Sequence, residues 1–148
     1  MMWITSGIIA GLIAGICMGI ATELGYRLNL IKANLIHIDG SFAARLLTIK
    51  QTLLIKYVLG ILFHCFMGAF FGLFYTAMAF YFRFDPQMIL LLSLYVILLW
   101  LIMLFFAMPV AGQGFMGRNG GRLVWLEQLA VHIVFGITLW LALGYFKL

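Results

Sequence analysis

Four long stretches of the chain are almost free of charged side chains. A helix needs about 20 mostly apolar residues to cross a bilayer, and each stretch is at least that long. The stretches run over residues 3–26, 57–82, 88–111 and 123–146. The pattern predicts an all-α protein in which residues 1–148 form one membrane domain, an integral membrane four-helix bundle.

The connection between the first two stretches has a different pattern. Residues 39–41, Asp-Gly-Ser, are typical of a turn with Ser41 as a helix N-cap. Beyond the turn, polar and apolar side chains alternate at helical spacing, which predicts an amphipathic segment over residues 41–56 on the cytoplasmic membrane surface. Two roles are open for this segment. It would orient the bundle and do nothing more, or it would recognise a specific lipid or a partner. The basic residues expected to face anionic lipid headgroups are Arg45, Lys50 and Lys56.

The composition excludes several classes of protein. Of the 148 residues, 66% are hydrophobic and 9% are charged, against about 45–50% and about 25% in soluble domains. The chain is therefore neither an ordinary soluble domain nor a disordered one. The formal net charge of +5 lies mostly outside the apolar stretches, so it predicts contact with a lipid bilayer and not with nucleic acid. Cys17 and Cys65 lie within apolar stretches and indicate neither a disulfide nor a compartment.

The distribution of basic residues predicts an orientation. Seven of the nine Lys and Arg residues lie in the connections 27–56 and 112–122, whereas Arg83 and Lys147 lie on the other side. Loops rich in Lys and Arg tend to stay in the cytoplasm. We therefore expect both basic connections in the cytoplasm and both termini outside it.

Small residues recur every fourth position in three of the predicted helices. In lipid, such spacing lets two helix backbones touch, and it is typical of a glycine zipper. The positions expected to serve helix packing are Gly7, Gly11, Gly15, Gly19, Gly60, Gly68, Gly72 and Gly136. The third stretch has no glycine and bulky side chains, so it is expected to present its surface to lipid or to a partner.

Several polar residues interrupt the apolar stretches at similar depth. With a rise of about 1.5 Å per residue, His64 lies about 10 Å and His132 about 13 Å from the cytoplasmic ends of their helices. Polar groups in a membrane are costly and often functional. The predicted intramembrane polar cluster consists of Glu23, His64, Glu127, Gln128 and His132. His37 is expected to be solvated in the loop.

Four interpretations of this cluster remain open. The first is a structural network in which the glutamates pair with arginines, the candidates being Arg27, Arg118 and Arg122. The second is a site for protons or a solute that uses the titration of the histidines. In the third, His64 and His132 hold a b-type haem, and in the fourth both histidines and both glutamates hold a metal ion. No motif of a catalytic site is present, so no catalytic residue is predicted.

Three apolar motifs add a resemblance to a known group of proteins. They are His-x-x-x-Gly-x-x-x-Gly at 64–72, Met-Pro-Val-Ala-Gly-Gln-Gly-Phe at 108–115 and His-x-x-x-Gly at 132–136. In this order, after a glycine-rich first span, they resemble the small four-helix, YagU-like uncharacterised bacterial inner-membrane proteins. The resemblance implies a multi-pass protein of the bacterial inner (cytoplasmic) membrane and assigns no activity to any residue.

Two functions are compatible with this sequence. A chain of 16.7 kDa with little mass outside the membrane leaves little room for chemistry. This favours a non-enzymatic accessory or assembly subunit, which would pack against other membrane subunits or copies of itself through the third stretch and the aromatic residues of 66–84. The alternative is a redox or proton- or solute-handling protein that works through His64 and His132.

Overall fold

The computed structural model describes residues 2–146 and contains five helices within that range. They are α1 (Met2–Arg27), α2 (Leu35–Leu46), α3 (Leu53–Phe82), α4 (Ile89–Ala111) and α5 (Val124–Tyr145). A single 3-10 turn, Phe115–Gly117, lies between α4 and α5. Of the basic residues used to predict orientation, Lys147 lies outside the described residues.

Four of these helices are long and apolar enough to cross a membrane, namely α1, α3, α4 and α5. The all-helical fold with four long apolar helices is therefore confirmed. The second of these helices begins at Leu53, four residues before the predicted start of the second apolar stretch. The reason is a cap, because the Thr52 hydroxyl accepts a hydrogen bond of 3.3 Å from the Ile55 amide.

Helices α1 and α3 cross with their backbones in direct contact. A Cβ atom placed on Gly11 would lie 2.6 Å from the Cα of Gly72, and one on Gly15 would lie 3.2 Å from the Cα of Gly68. Only glycine allows so short a distance between two helices, since any side chain would push them apart. The apolar core beside this crossing consists mainly of Ala10, Ala14, Tyr75, Tyr95, Phe135 and Leu139.

The connection between α1 and α3 differs from its prediction. The structure has no amphipathic helix over residues 41–56; a helix begins at Leu35, ends at Leu46 and is followed by a non-helical link up to α3. Asn34 caps this helix, because its side-chain oxygen accepts hydrogen bonds from the amides of Ile36 and His37 at 2.9 and 3.4 Å. The Asp-Gly-Ser sequence at 39–41 lies inside the helix, so the predicted turn and the Ser41 cap are wrong.

Helix α2 lies within the bundle and not on its surface. Eight of its 12 residues are buried, and Ile38 and Phe42 share an apolar cluster with Met103, Leu104 and Met108 of α4. Gly40 allows the close approach, because its Cα faces the Lys56 carbonyl of α3 with no room for a side chain. We call the end of the bundle that contains the links 28–34, 47–52 and 112–123 the loop end.

Helix α4 contains an irregular turn opposite α2. Residues Met103–Ala107 form a π-helical turn, and Pro109 follows directly in the next turn. Proline has no amide hydrogen and its ring displaces the preceding turn, which a π-helical turn can accommodate. Such turns occur often at functional sites, and this one carries Met103 and Ala107 into the wall of the cavity described below.

Candidate functional site

Two of the five predicted polar residues hold the segment that leads into α2. The Glu127 carboxylate accepts hydrogen bonds from the amides of Lys32 and Ala33 at 2.8 and 3.3 Å. The side-chain amide of Gln128 donates to the Ala33 carbonyl at 2.9 Å. Among residues 2–146 Glu127 forms no ion pair with Arg118 or Arg122, and its Oε2 atom instead holds two amides of the link between α1 and α2.

Glu23 supports the same segment from α1. It accepts a hydrogen bond of 2.6 Å from Arg27 and another of 2.6 Å from the side-chain amide of Asn34. The pair Glu23–Arg27 is one of those that the interpretation as a structural network predicts. The Tyr57 hydroxyl donates a longer bond of 3.4 Å to Glu23. Because Asn34 is the cap of α2, Glu23 orients the residue that starts this helix. Glu23, Glu127 and Gln128 thus have a structural role in the fold.

His64 is paired with Asp39, a residue of the predicted turn at 39–41. Its Nδ1 atom lies 2.7 Å from Oδ2 of Asp39 on α2, and its Nε2 atom lies 3.0 Å from the Gly15 carbonyl of α1. Only 9% of the His64 side chain and 14% of the Asp39 side chain is exposed. A buried carboxyl group bound to a buried imidazole is therefore the most polar feature inside the bundle.

The hydrogen bonds define how many protons this pair holds. The Gly15 carbonyl can only accept, so Nε2 of His64 must carry a hydrogen. One further proton lies between Nδ1 and the Asp39 carboxyl group, and with it the pair has no net charge. Burial raises the pKa of the Asp39 carboxyl group, an effect that the hydrogen bond and charge of His64 oppose. Loss of the bridging proton would leave one negative charge in the bundle.

His132 is oriented in a way that leaves one nitrogen free. Its Nδ1–H donates to the Gln128 carbonyl one turn earlier at 2.8 Å. The neutral ring then has an unprotonated Nε2 atom, which finds no hydrogen-bond partner among residues 2–146. Only 6% of His132 is exposed. It therefore presents an acceptor, and not a donor, to the interior of the bundle.

A cavity of about 280 Å³ joins these groups. Three titratable residues line it, namely Asp39, His64 and His132. The rest of its wall is apolar and includes five phenylalanines, Phe42, Phe63, Phe71, Phe106 and Phe135. It also includes three methionines, Met18, Met67 and Met103. The arrangement is that of a ligand pocket, which is mostly apolar with a few convergent polar groups.

His64 also borders a second space on the other side of α3. A groove of about 610 Å³ between α1 and α3 is lined by His64, Glu23 and Tyr57. Glu23 and Tyr57 in turn line a depression of about 750 Å³ at the loop end, together with Lys32. His64 thus lines both the cavity and the groove, and the groove shares Glu23 and Tyr57 with the depression at the loop end.

The predicted packing glycines have different neighbours. Gly7, Gly11 and Gly15 of α1 face α3 at Gly68 and Gly72. The remaining three leave room for other groups: Gly19 for the His64 ring, Gly60 for the Ile36 carbonyl and Gly136 for the Val96 side chain. A Cβ on Gly19 would lie 3.3 Å from a ring carbon of His64, so this glycine positions the imidazole.

The other polar residues of the connection lie around α2. Arg45 is exposed at the end of α2 with its guanidinium group against Gly112, Lys50 is exposed in the following link, and Lys56 is half-buried in the first turn of α3. His37 lies in α2 and is half-buried, with its ring 4.4 Å from that of Tyr57. The expectation that His37 is solvated in a loop is therefore wrong.

Haem or metal binding makes specific demands on the two histidines. A ligating imidazole needs one free ring nitrogen, and both nitrogens of His64 are bound to oxygen atoms. His64 would have to give up Asp39 or Gly15 before it could bind iron. Among residues 2–146, no three His, Cys, Asp or Glu side chains are grouped as metal ligands. Glu23 and Glu127 hold backbone and amide groups at the loop end instead.

Comparison with known proteins places no further constraint on the site. No family model, no curated protein and no solved structure matches the chain. The interpretation of the Asp39–His64 pair therefore depends on its own geometry.

Proposed function

We propose that the chain is a multi-pass protein of the bacterial inner membrane with its loop end in the cytoplasm. Four apolar helices support insertion, and the excess of basic residues at the loop end supports the orientation. The resemblance to YagU-like proteins supports the bacterial membrane. In this arrangement both termini lie outside the cytoplasm, and the basic side chains around α2 contact anionic lipid headgroups.

Single cysteines test the orientation in a background in which Cys17 and Cys65 are replaced by alanine. We expect a cysteine at Lys50 or Arg118 to react with a membrane-impermeant maleimide only after permeabilisation, since both lie at the loop end. A cysteine at Arg83, on the opposite turn, is the matched control and should react in intact cells. Labelling of Lys50→Cys in intact cells would reverse the proposed orientation.

We propose further that this protein takes up and releases a proton at the Asp39–His64 pair in connection with a small solute in the cavity. The observation that carries this proposal is a carboxyl–imidazole contact of 2.7 Å at a cavity that also contains His132. A purely structural pair needs no space beside it, and ionisable groups are rarely kept inside a membrane protein without a use.

The groove between α1 and α3 supplies a route for this proton. Water can reach the depression at the loop end, where Glu23 and Tyr57 provide exchangeable groups. The same two residues line the groove that ends at His64. Because Nε2–H of His64 stays bound to the Gly15 carbonyl, the proton that is taken up or released is the one between Nδ1 of His64 and the Asp39 carboxyl group, which are already hydrogen-bonded.

Infrared spectroscopy tests the titration of the pair. We expect a pH titration of the purified protein in lipid nanodiscs to show the band of a protonated carboxylic acid that disappears as the pH rises. This band should be absent in Asp39→Asn. Asp85→Asn is the matched control, because Asp85 is exposed on the opposite turn, and it should retain the band. Identical difference spectra of the wild type and Asp39→Asn would contradict the proposal.

The accessory-subunit hypothesis is retained as a second candidate because of one surface. Helix α3 exposes Phe66, Phe70 and Phe74, whose rings stack with centroids 6.4 and 6.2 Å apart. Such a ridge is suited to packing against a helix of another subunit or a second copy. We expect replacement of all three by leucine to reduce the oligomer mass in nanodiscs if this ridge is an interface; an unchanged mass would leave lipid as its neighbour.

A further inference from the structure

We propose that the cavity binds a small organic ammonium ion, which enters as the bridging proton of the Asp39–His64 pair leaves. This inference rests on the proposed function of the same pair and adds the chemical class of its solute. It follows from three properties of the cavity: its size, the nature of its polar atoms and its charge.

The size of the cavity indicates an organic molecule. An apolar cavity of about 150 Å³ holds benzene, so the space of about 280 Å³ in this bundle has room for one ring with a short substituent. A larger drug-like ligand needs more, since such pockets usually measure about 300–1,000 Å³. The solute is therefore expected to contain one ring or a short chain.

The polar atoms of the cavity indicate a hydrogen-bond donor. Nε2 of His132 is an acceptor without a partner, and the carboxyl group of Asp39 accepts once it has lost its proton. An ammonium group can donate to both types of atom. A carboxylate or phosphate would find no free donor in this set, because Nε2–H of His64 is bound to Gly15 and Nδ1–H of His132 is bound to Gln128.

The charge of the cavity indicates a cation. The Asp39–His64 pair is neutral with its bridging proton and carries one negative charge without it. A single ammonium ion restores neutrality, so one positive charge enters as one proton leaves and no net charge is buried. Among residues 2–146, His132 is the only other titratable residue in the cavity wall, and in its neutral form it adds no charge. The faces of aromatic rings also attract cations, and phenylalanines form much of the wall.

A soft metal ion is the competing occupant. The thioethers of Met18, Met67 and Met103 together with His132 are ligand types that suit Cu(I). In a metal site, however, the ligand atoms lie about 2.0–2.3 Å from the ion, so the rest of the cavity volume would stay empty. The open space therefore favours the organic ion, and copper binding becomes one outcome of the test.

Calorimetry with benzylamine and benzyl alcohol tests the inference. The two molecules have the same shape but only the first is a cation at neutral pH. We expect benzylamine to bind the protein in detergent at least about tenfold more tightly than benzyl alcohol. Titration in two buffers of different ionisation enthalpy should show about one proton released per benzylamine bound.

Three variants locate the binding. Asp39→Asn should lose the preference for benzylamine, and the exposed Asp85→Asn should retain it. Ala107→Leu should weaken both ligands, since Ala107 lines the cavity and the larger side chain fills it without removing a polar group. If Asp39→Asn is not folded, the proton release by the wild type and the weaker binding of both ligands by Ala107→Leu still test the inference.

Four outcomes would overturn the inference. They are equal affinity for the two ligands, no binding of benzylamine, no proton release, and stoichiometric Cu(I) binding that depends on His132 and excludes benzylamine. If benzylamine fails while the infrared titration of Asp39 is observed, the solute class is wrong and the proton site stands. If the Asp39 carboxyl group does not titrate, the proposed function fails as well.

Discussion

Gly11→Leu is expected to leave no folded bundle. The Cα of Gly72 would lie 2.6 Å from a Cβ at residue 11, and the Gly68 carbonyl lies on the same side. A larger side chain that meets other side chains in a packed core lowers the free energy of unfolding by about 1–3 kcal/mol. Here the obstacle is the backbone of α3, which cannot adopt another rotamer, so the helices must separate. Unfolding by a denaturing detergent, followed by circular dichroism, measures the loss.

Alanine variants at two positions of α1 provide the matched comparison. Gly11→Ala should still lower the free energy of unfolding strongly, because even a methyl group meets the α3 backbone. At Gly25 the nearest atoms belong to the flexible side chain of Ile31, at 3.3 Å from the position of a Cβ. Gly25→Ala should therefore be neutral or slightly stabilising. Equal stability of the two variants would show that α1 and α3 are not in backbone contact.

His64→Ala is expected to destabilise the protein in a manner that depends on pH. Removing one partner of a buried pair costs about 3–5 kcal/mol, because the other charge is left without compensation. Among residues 2–146, His64 is the group that forms an ion pair with Asp39, and without it burial raises the pKa of the Asp39 carboxyl group further. The Gly15 carbonyl would lose its donor as well.

The sign of the pH dependence follows from this raised pKa. A carboxyl group whose pKa is higher in the folded state than in the unfolded state favours folding at low pH. In His64→Ala the stability is therefore retained below the ordinary Asp pKa of about 3.9 and lost as the pH rises through the folded-state pKa. We expect the smallest loss of stability at the acidic end of this range and the full loss at neutral pH, as measured by unfolding at each pH.

Two controls separate this effect from the loss of a ring. His37→Ala removes a half-buried imidazole of α2 whose described contacts are aromatic, and its effect should be smaller at neutral pH. In the double variant Asp39→Ala/His64→Ala no carboxyl group remains at this site, so the pH dependence that arises from Asp39 should disappear. A single variant His64→Ala with the same stability at all pH values would mean that Asp39 is not buried with His64.

The sequence was sufficient for the spans because their signal is local. A continuous apolar stretch of more than 20 residues predicts a helix whatever its neighbours are, and α4 is within one residue of its predicted start. Glu127 and Gln128 stand out as polar residues within an apolar stretch for the same reason. Their partners could not be predicted, because nothing in the sequence shows that the backbone amide of residue 32 lacks an acceptor within a helix.

Helix α2 and Asp39 were missed because two local signals disagreed. Asp-Gly-Ser is typical of a turn, and the sequence offers no sign that Gly40 serves the close approach of Lys56. Asn34 before an apolar run was the signal that could have identified the helix. The Asp39–His64 contact joins residues 25 positions apart, so only the packing of α2 against α3 creates the site.

The bonds between α5 and the start of α2 also constrain the order of assembly in the cell. Glu127 and Gln128 lie 95 residues after the groups of Lys32 and Ala33 that they bind. At about 5–20 residues per second, translation separates these partners by roughly 5–20 seconds. During that interval the segment before α2 lacks its acceptors and donors from α5. In the proposed orientation, we therefore expect a nascent chain that ends after α4 to leave residues 32–46 accessible to protease from the ribosome side, and synthesis of the last helix to close the bundle.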